Sequence, residues 1–394
     1  MQYPDRFSDL PAYAFPRLRA LLDAHPPGAA PLHMSIGEPK HPFPDWVAGT
    51  IAETAADFGR YPPNEGTPEL LEAIGGWLAR RYGVTRGPET LMALNGTREG
   101  LYNVAMALCP ERKAGAVPAI LVPNPFYQVY AVAALSVAAE PVYVPATAAT
   151  GHLPDYAALP EGVLDRTALV YVCSPANPQG AVADRAYWAD LLALAERHDF
   201  IVLADECYAE IYRGTPPPGV LEVADEIGAD PERVVAFHSL SKRSNVPGLR
   251  SGFVASGPRN MARIRTLRAY AGAPLPLPLQ HAAARLWADA AHVAQNRALY
   301  DEKFAQADAL FGHLPGVTIP PAGFFLWLPV DDGEAAALKL WRETGVRVLP
   351  GAYLGRDSGA GNPGAGYIRA ALVAPLADTT RGLTAIRDCL FQGE

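Results

Sequence analysis

The sequence is poor in cysteine and in charge. Its four cysteines, Cys109, Cys173, Cys207 and Cys389, lie far apart in 394 residues with no C-x-x-C pair. That excludes a zinc ribbon and a disulfide framework and points to reduced, cytosolic thiols. Charged residues make up only 19%, and 33 Lys plus Arg against 41 Asp plus Glu leave a formal charge of −8 with no run of one sign. This balance argues against nucleic acid as a partner. No apolar stretch approaches the roughly 18 residues a membrane helix needs. Met1 to Leu10 is acidic and polar where a signal peptide is basic and then apolar. A cytoplasmic protein without a membrane partner is therefore expected. The nine histidines form no H-x-x-x-H pair and stand beside no carboxylate cluster, so no metal site is expected. Repeats and low-complexity tracts are absent too, since the 39 prolines and 35 glycines are scattered as turn punctuation.

What is present is ample apolar material, 49% of residues, enough for a sizeable core. At roughly 150 residues per domain the length suggests two units. From about residue 66 helical patterns alternate with short apolar runs, the signature of an α/β fold. Candidate strands are Leu91 to Leu94, Ala119 to Val122, Pro141 to Val144, Ala168 to Cys173, Phe200 to Ala204, Val234 to His238 and Gly252 to Ala255. Several carry almost no polar residue, as buried parallel strands do. Helical patterns cover Thr67 to Tyr82, Glu99 to Leu108, Ala186 to His198 and one long stretch from about Gln280 to Phe311. Thr67, Pro68 and Glu69 supply an N-cap, a proline at the first helical position and a first-turn acid. After Pro321 come a strand at Phe324 to Pro329, a helix at Glu334 to Thr344 and a strand at Tyr367 to Val373, a smaller α+β unit.

Two patterns are decoys. Gly359, Gly361 and Gly364 spell G-x-G-x-x-G, but they precede a strand and enclose Pro363, so they read as a loop. Gly248, Arg250, Ser251 and Gly252 miss the spacing of a nucleophile elbow. Four other segments end or follow the strands, where open α/β sheets place ligands. Asp205 ends an apolar strand with Glu206 and Tyr208 behind it; alone it could simply terminate the strand, or it could pair with a cationic ring nitrogen. Ser239, Ser241 and Lys242 follow the next strand, with Arg250 eight residues after the lysine. Two hydroxyls and an arginine could cradle a phosphate while the amine does covalent chemistry. Ser174 to Gly180 is a proline-rich turn carrying Asn177. Asn95, Gly96, Thr97 and Arg98 open a helix, a place where backbone amides bind anions, although a plain cap is the commoner use.

Taken in order, these segments resemble the pyridoxal-phosphate aminotransferases of fold type I, the aspartate aminotransferase superfamily, over nearly the whole chain. Gly37 to Pro42 (GEPKHP), Asn124 to Tyr127 (NPFY), Asp205 to Tyr208 (DECY) and Ser239 to Gly248 (SLSKRSNVPG) look most like N-succinyldiaminopimelate aminotransferases of lysine synthesis. The resemblance implies a large domain, residues 46–290, with a mostly parallel seven-stranded sheet between helices. A smaller α+β domain is implied from residues 1–45 and 291–394. It implies pyridoxal 5'-phosphate joined to Lys242 through a Schiff base, with Asp205 on the ring nitrogen, Tyr208 and Asn177 on the phenolic oxygen and Tyr127 stacked on the ring. Gly96, Thr97, Arg98, Ser239, Ser241 and Arg250 would surround the phosphate. Tyr61 would reach in from the other subunit of a homodimer. Arg369 would grip the substrate α-carboxylate, Gly37 would lie over the substrate, and Lys242 would carry the α-proton.

A succinylated substrate with a second carboxylate needs further cations, and Lys40, Arg98 and Arg243 are the candidates by motif position, each of which could equally be a solvated charge. Gln179 stands where the superfamily often has threonine. The proline-rich Ala271 to Gln280 is unusual and could reshape the pocket. The implied reaction moves an amino group between glutamate and an N-succinylated diaminopimelate precursor. Aspartate or another amino acid as substrate, a carbon-sulfur lyase, and a non-catalytic regulatory module remain as alternatives. The lack of an N-terminal helix-turn-helix and the acidic charge weigh against the last.

Overall fold

The computed structural model describes residue 3 and residues 5–391. Residues 1, 2 and 4, in the polar N-terminal stretch, and residues 392–394, at the end of the C-terminal unit, lie outside the described residues. The large sheet has seven strands in the order Leu91–Leu94, Gly252–Ser256, Val234–Ser239, Ile201–Asp205, Thr167–Cys173, Ala119–Asn124, Glu140–Pro145. All neighbours are parallel except Gly252–Ser256, which runs antiparallel on both sides. All seven strands read from the sequence are present.

Side chains alternate between the two faces of the sheet, as the strand period of two requires. Val202, Ala204, Val234 and Ala236 pack with Leu70, Ile74, Trp77, Trp188 and Trp287 from helices on one face. Leu203, Val235 and Phe237 pack with Leu101, Val104, Tyr130 and Met261 on the other. Both faces are covered, which is why the strands tolerate so few polar residues. The helix Pro68–Tyr82 starts where the caps place it: the Thr67 side chain accepts from the Leu70 amide, and Gly83 ends the helix in the left-handed conformation.

The single helix expected from Gln280 to Phe311 is two, Leu277–Ala288 and Ala291–Phe311. Asp289 takes an extended conformation, and its carboxylate accepts from the Ala291 amide at 2.7 Å, so a capping acid interrupts an otherwise continuous apolar pattern.

A second sheet orders Leu349–Pro350, Tyr367–Ala371 and Phe325–Pro329 antiparallel. Its core gathers Phe304, Phe311, Leu340, Ile368 and Leu383 with Leu32 and Met34 from the N-terminal segment. Leu32–His33 pairs in parallel with Val346–Arg347, and the Ala371 amide donates to the Met34 carbonyl. These bonds carry Ser35 to Gly37 alongside Arg369 and over the carboxyl ends of the large sheet.

Candidate active site

Parallel pairing aligns the strand ends: Asp205 lies beside Cys173 on one side and Phe237 on the other. Asp205 is 5% exposed. Its Oδ2 accepts 2.7 Å from the Tyr130 hydroxyl, and its Oδ1 accepts from the Cys207 amide. Burial pushes this carboxyl up from the usual range, against the pull of hydrogen bonds from Cys207 and Tyr130.

One strand over, Val234–Ser239 runs directly into the short helix Leu240–Arg243, capped by the Ser239 hydroxyl, which accepts from the Ser241 amide. That turn carries Lys242, whose Nζ donates 2.5 Å to the Gly37 carbonyl. Burial lowers its amine to about 8. Near neutral pH the amine is therefore still mostly charged, but its neutral, nucleophilic fraction is far larger than that of an exposed lysine.

Arg369 projects from the central strand of the second sheet and is 4% exposed. It donates to Asn177 Oδ1 at 2.8 Å and to the Ser35 carbonyl at 2.7 Å, and stacks over Phe325. Burial lowers it to about 10, still a cation, with Nε left unpartnered. Asn177 is held by the turn that Gly180 closes with φ +70°, the Gly180 amide donating to the Ala176 carbonyl.

Opposite lies a cluster of donors. Gly96 precedes the helix Thr97–Leu108 at φ +80°, where a Cβ would fall 2.1 Å from Arg250 Nη2, so only glycine lets the guanidinium approach the helix start. Thr97, Ser239 and Ser241 join Arg250 there, and the Thr97 hydroxyl contacts Cys207 Sγ at 3.1 Å.

One cavity of about 320 Å³ joins these groups. Thr97, Arg98, Tyr127, Asn177, Asp205, Tyr208, Ser239, Ser241, Lys242, Arg250, Gly37 and Arg369 all line it. Gly96 stands behind Arg250 and does not. Tyr61 is 99% exposed and outside the cavity. Lys40 is exposed and also outside it. Arg243, a candidate for a distal carboxylate, is 3% exposed and turned away: it donates to the Leu286 and Asp289 carbonyls at the end of the helix Leu277–Ala288. The one-turn helix that points Lys242 into the cavity sends its neighbour to the far side. No residue of Ala271 to Gln280 lines the cavity; Gln280 instead ties that segment down, accepting from the Thr67 amide and donating to the Leu275 carbonyl. Motif reading overlooks Tyr130, and also Tyr13 and Phe15, which line the cavity from the N-terminal segment. Gly359 to Gly364 is a loop before the strand Tyr367–Ala371.

This donor set fits pyridoxal phosphate. A buried carboxylate with a raised pKa favours a cationic ring nitrogen, a buried amine with a lowered pKa faces the same space, and an arginine with three hydroxyls at a helix start suits a phosphate. The comparisons with known proteins decide the family. The model for aminotransferase class I and II matches residues 30–380. The chain belongs to the class I and II aminotransferases. The family depends on pyridoxal phosphate. The aminotransferase is 31% identical over 395 residues to an LL-diaminopimelate aminotransferase of Dehalococcoides mccartyi, covering 97% of each chain. It superposes on an aminotransferase from Neisseria meningitidis with a TM-score of 0.93 and 37% identity over 98% of this chain and 99% of that one. A probable N-succinyldiaminopimelate aminotransferase from Thermus thermophilus matches with a TM-score of 0.83 and 25% identity, over 96% and 100%.

Proposed function

We propose that this aminotransferase exchanges an amino group between glutamate and 2-oxoglutarate on one side and N-succinyl-LL-2,6-diaminopimelate and its 6-oxo counterpart on the other. Bound pyridoxal phosphate supplies an electron sink for the carbanion at the substrate α-carbon. In this reading Lys242 would hold the cofactor through Nζ, and the same amine would serve as the base that takes up and releases the substrate α-proton. Asp205 holds the ring nitrogen protonated, with Tyr130 orienting the carboxylate. Tyr208 and Asn177 would hold the cofactor's phenolic oxygen, and Tyr127 would cover its ring. Thr97, Ser239, Ser241 and Arg250 take the phosphate, with the Arg98 backbone amide. Arg369 grips the α-carboxylate, and Gly37 closes over it. Tyr61 serves the neighbouring subunit of a homodimer.

The observation that carries the substrate class is charge. Of the four cations that line the cavity, Lys242 and Arg250 serve the cofactor in this reading, which leaves Arg369 and Arg98 against the single carboxylate of Glu38 on the substrate side. Substrates rich in carboxylate suit it. The name of the Dehalococcoides relative favours a second reading, LL-diaminopimelate itself, which differs by a free ammonium where the other carries a succinyl group. Adding glutamate, aspartate, N-succinyl-LL-diaminopimelate and LL-diaminopimelate separately to the loaded protein separates these readings. The visible band of the bound cofactor is expected to be lost with glutamate and the succinylated compound, and hardly with the others. Loss with LL-diaminopimelate but not its succinyl form would establish the second reading.

A further inference from the structure

The helix Ala291–Phe311 buries a cation with no acid to pair with. Lys303 is 1% exposed and forms no ion pair among the described residues. Its Nζ donates 2.5 Å to His41 Nε2 and 3.0 Å to the carbonyl of Leu372, just past the strand that carries Arg369. An ammonium held only by an imidazole and a carbonyl is costly to bury, and burial lowers this amine to about 8. The tautomer of His41 follows from its other neighbour. Asn296 Oδ1 accepts from Asn245 Nδ2 at 3.0 Å, so the His41 Nδ1 that meets the same oxygen at 2.7 Å is a donor. Nε2 is then left with the lone pair that Lys303 needs. The bonds run one way, from ammonium to imidazole to amide.

They end at the turn of Lys242. Asn245 closes that turn in the left-handed conformation, φ +55°, which few residues other than glycine adopt. Its amide is fixed from two sides, by Asn296 Oδ1 and by the Pro42 carbonyl at 3.2 Å. Asn296 Nδ2 also faces the Lys242 carbonyl at 3.5 Å. His41 and Pro42 belong to the same strap as Gly37, whose carbonyl accepts from Lys242 Nζ. The Tyr300 ring packs on His41 and on Phe324, and Lys242 Nζ lies 5.5 Å from the centroid of the Phe324 ring.

We propose that Lys303 is a positioning residue which, through His41 and Asn296, sets the strap of residues 35–42 against the turn of Lys242, so that the Gly37 carbonyl meets Nζ and the amine stays dry. Lys303 lies outside the cavity and acts only through these bonds. Its second bond, to Leu372, ties the same node to the strand of Arg369. The alignment itself belongs to the protein alone; its effect on turnover rests on the reading of Lys242 as the lysine that holds the cofactor.

The test is competitive acetylation of the apoenzyme over a series of pH values, with mass spectrometry following Lys242. In Lys303→Met, which keeps the packing and removes the donor, the midpoint of Lys242 reactivity is expected to rise from about 8 by about half to one pH unit, the scale of one lost hydrogen bond. His41→Phe keeps a ring on Tyr300 and removes no charge, so the same rise there assigns the effect to lost alignment and not to lost repulsion. Each single variant leaves a buried polar group unpaired and loses stability. The double variant of His41→Phe with Lys303→Met exchanges the bonded pair for apolar groups of similar shape and should recover much of that loss. Its Lys242 midpoint should stay raised, because the link to Asn296 is still missing, and it decides the matter alone if the single variants do not fold. Single variants that melt earlier with the wild-type midpoint, or a double variant whose midpoint returns to the wild-type value along with its stability, would overturn the proposal and leave Lys303 a packing residue. In the loaded variants turnover of glutamate should fall as the midpoint rises. Midpoints that move as stated in a protein whose cofactor sits on another lysine would count against the role of Lys242 and leave that of Lys303 standing.

Discussion

The Tyr130 hydroxyl donates a 2.7 Å hydrogen bond to Asp205 Oδ2, and both residues are buried. Burial disfavours the ionised carboxyl, and this bond is one of the few groups opposing it. Tyr130→Phe removes the donor and keeps the packing of its ring on Tyr171. A hydrogen bond to a charged group contributes roughly 1.5–3 kcal/mol. The variant should bind pyridoxal phosphate about 10- to 100-fold more weakly, measured by equilibrium titration of the apoenzyme; unchanged affinity would remove Tyr130 from the site.

The Lys242 amine is lowered to about 8 because it is buried. Its charge is therefore lost as pH rises through that value, well below the range of an exposed lysine. Competitive acetylation of the apoenzyme at a series of pH values should show Lys242 reactivity rising through about 8 and levelling above it. Reactivity still climbing near the ordinary lysine pKa would mean the amine is hydrated.

Arg369 uses two different Nη atoms on two fixed acceptors, Asn177 Oδ1 and the Ser35 carbonyl. Lysine cannot reproduce that planar fork. Arg369→Lys should raise KM for every amino-acid donor by roughly 10-fold or more, seen in steady-state kinetics across several donors. A rise for one donor alone would place the α-carboxylate elsewhere.

Arg243 adjoins Lys242 in sequence but serves the fold. Arg243→Ala strips the partner from the Leu286 and Asp289 carbonyls and should destabilise the protein by roughly 1–3 kcal/mol. Thermal unfolding checks the loss, and kcat/KM for glutamate per folded protein should stay as it is.

Much of the architecture was legible because both faces of the large sheet are covered, so strands such as Val234–Ser239 stand out as apolar runs that end in chemistry. Asp205, Ser239 and Lys242 are conspicuous for the same reason: each polar group follows a stretch with no other use for one. Tyr130 was hidden. It lies in an alanine-rich apolar helix, Val129–Ser136, where an aromatic reads as core, and its partner is 75 residues away in sequence. Tyr13 and Phe15 carry no motif at all, and only the path of the N-terminal segment over the sheet brings them to the cavity. The break at Asp289 escaped because one capping carboxylate leaves the surrounding periodicity intact. Arg243 misled because adjacency along the chain says nothing about direction when the backbone is turning through a helix.

The central claim is that Lys242 is the residue that holds the cofactor. Reducing the loaded protein with borohydride fixes the cofactor to its lysine, and peptide mass spectrometry then locates it. The account predicts a phosphopyridoxyl group on the peptide containing Lys242 and none on the other lysines. A label on a different lysine, or a loaded protein that yields no labelled peptide, would contradict it.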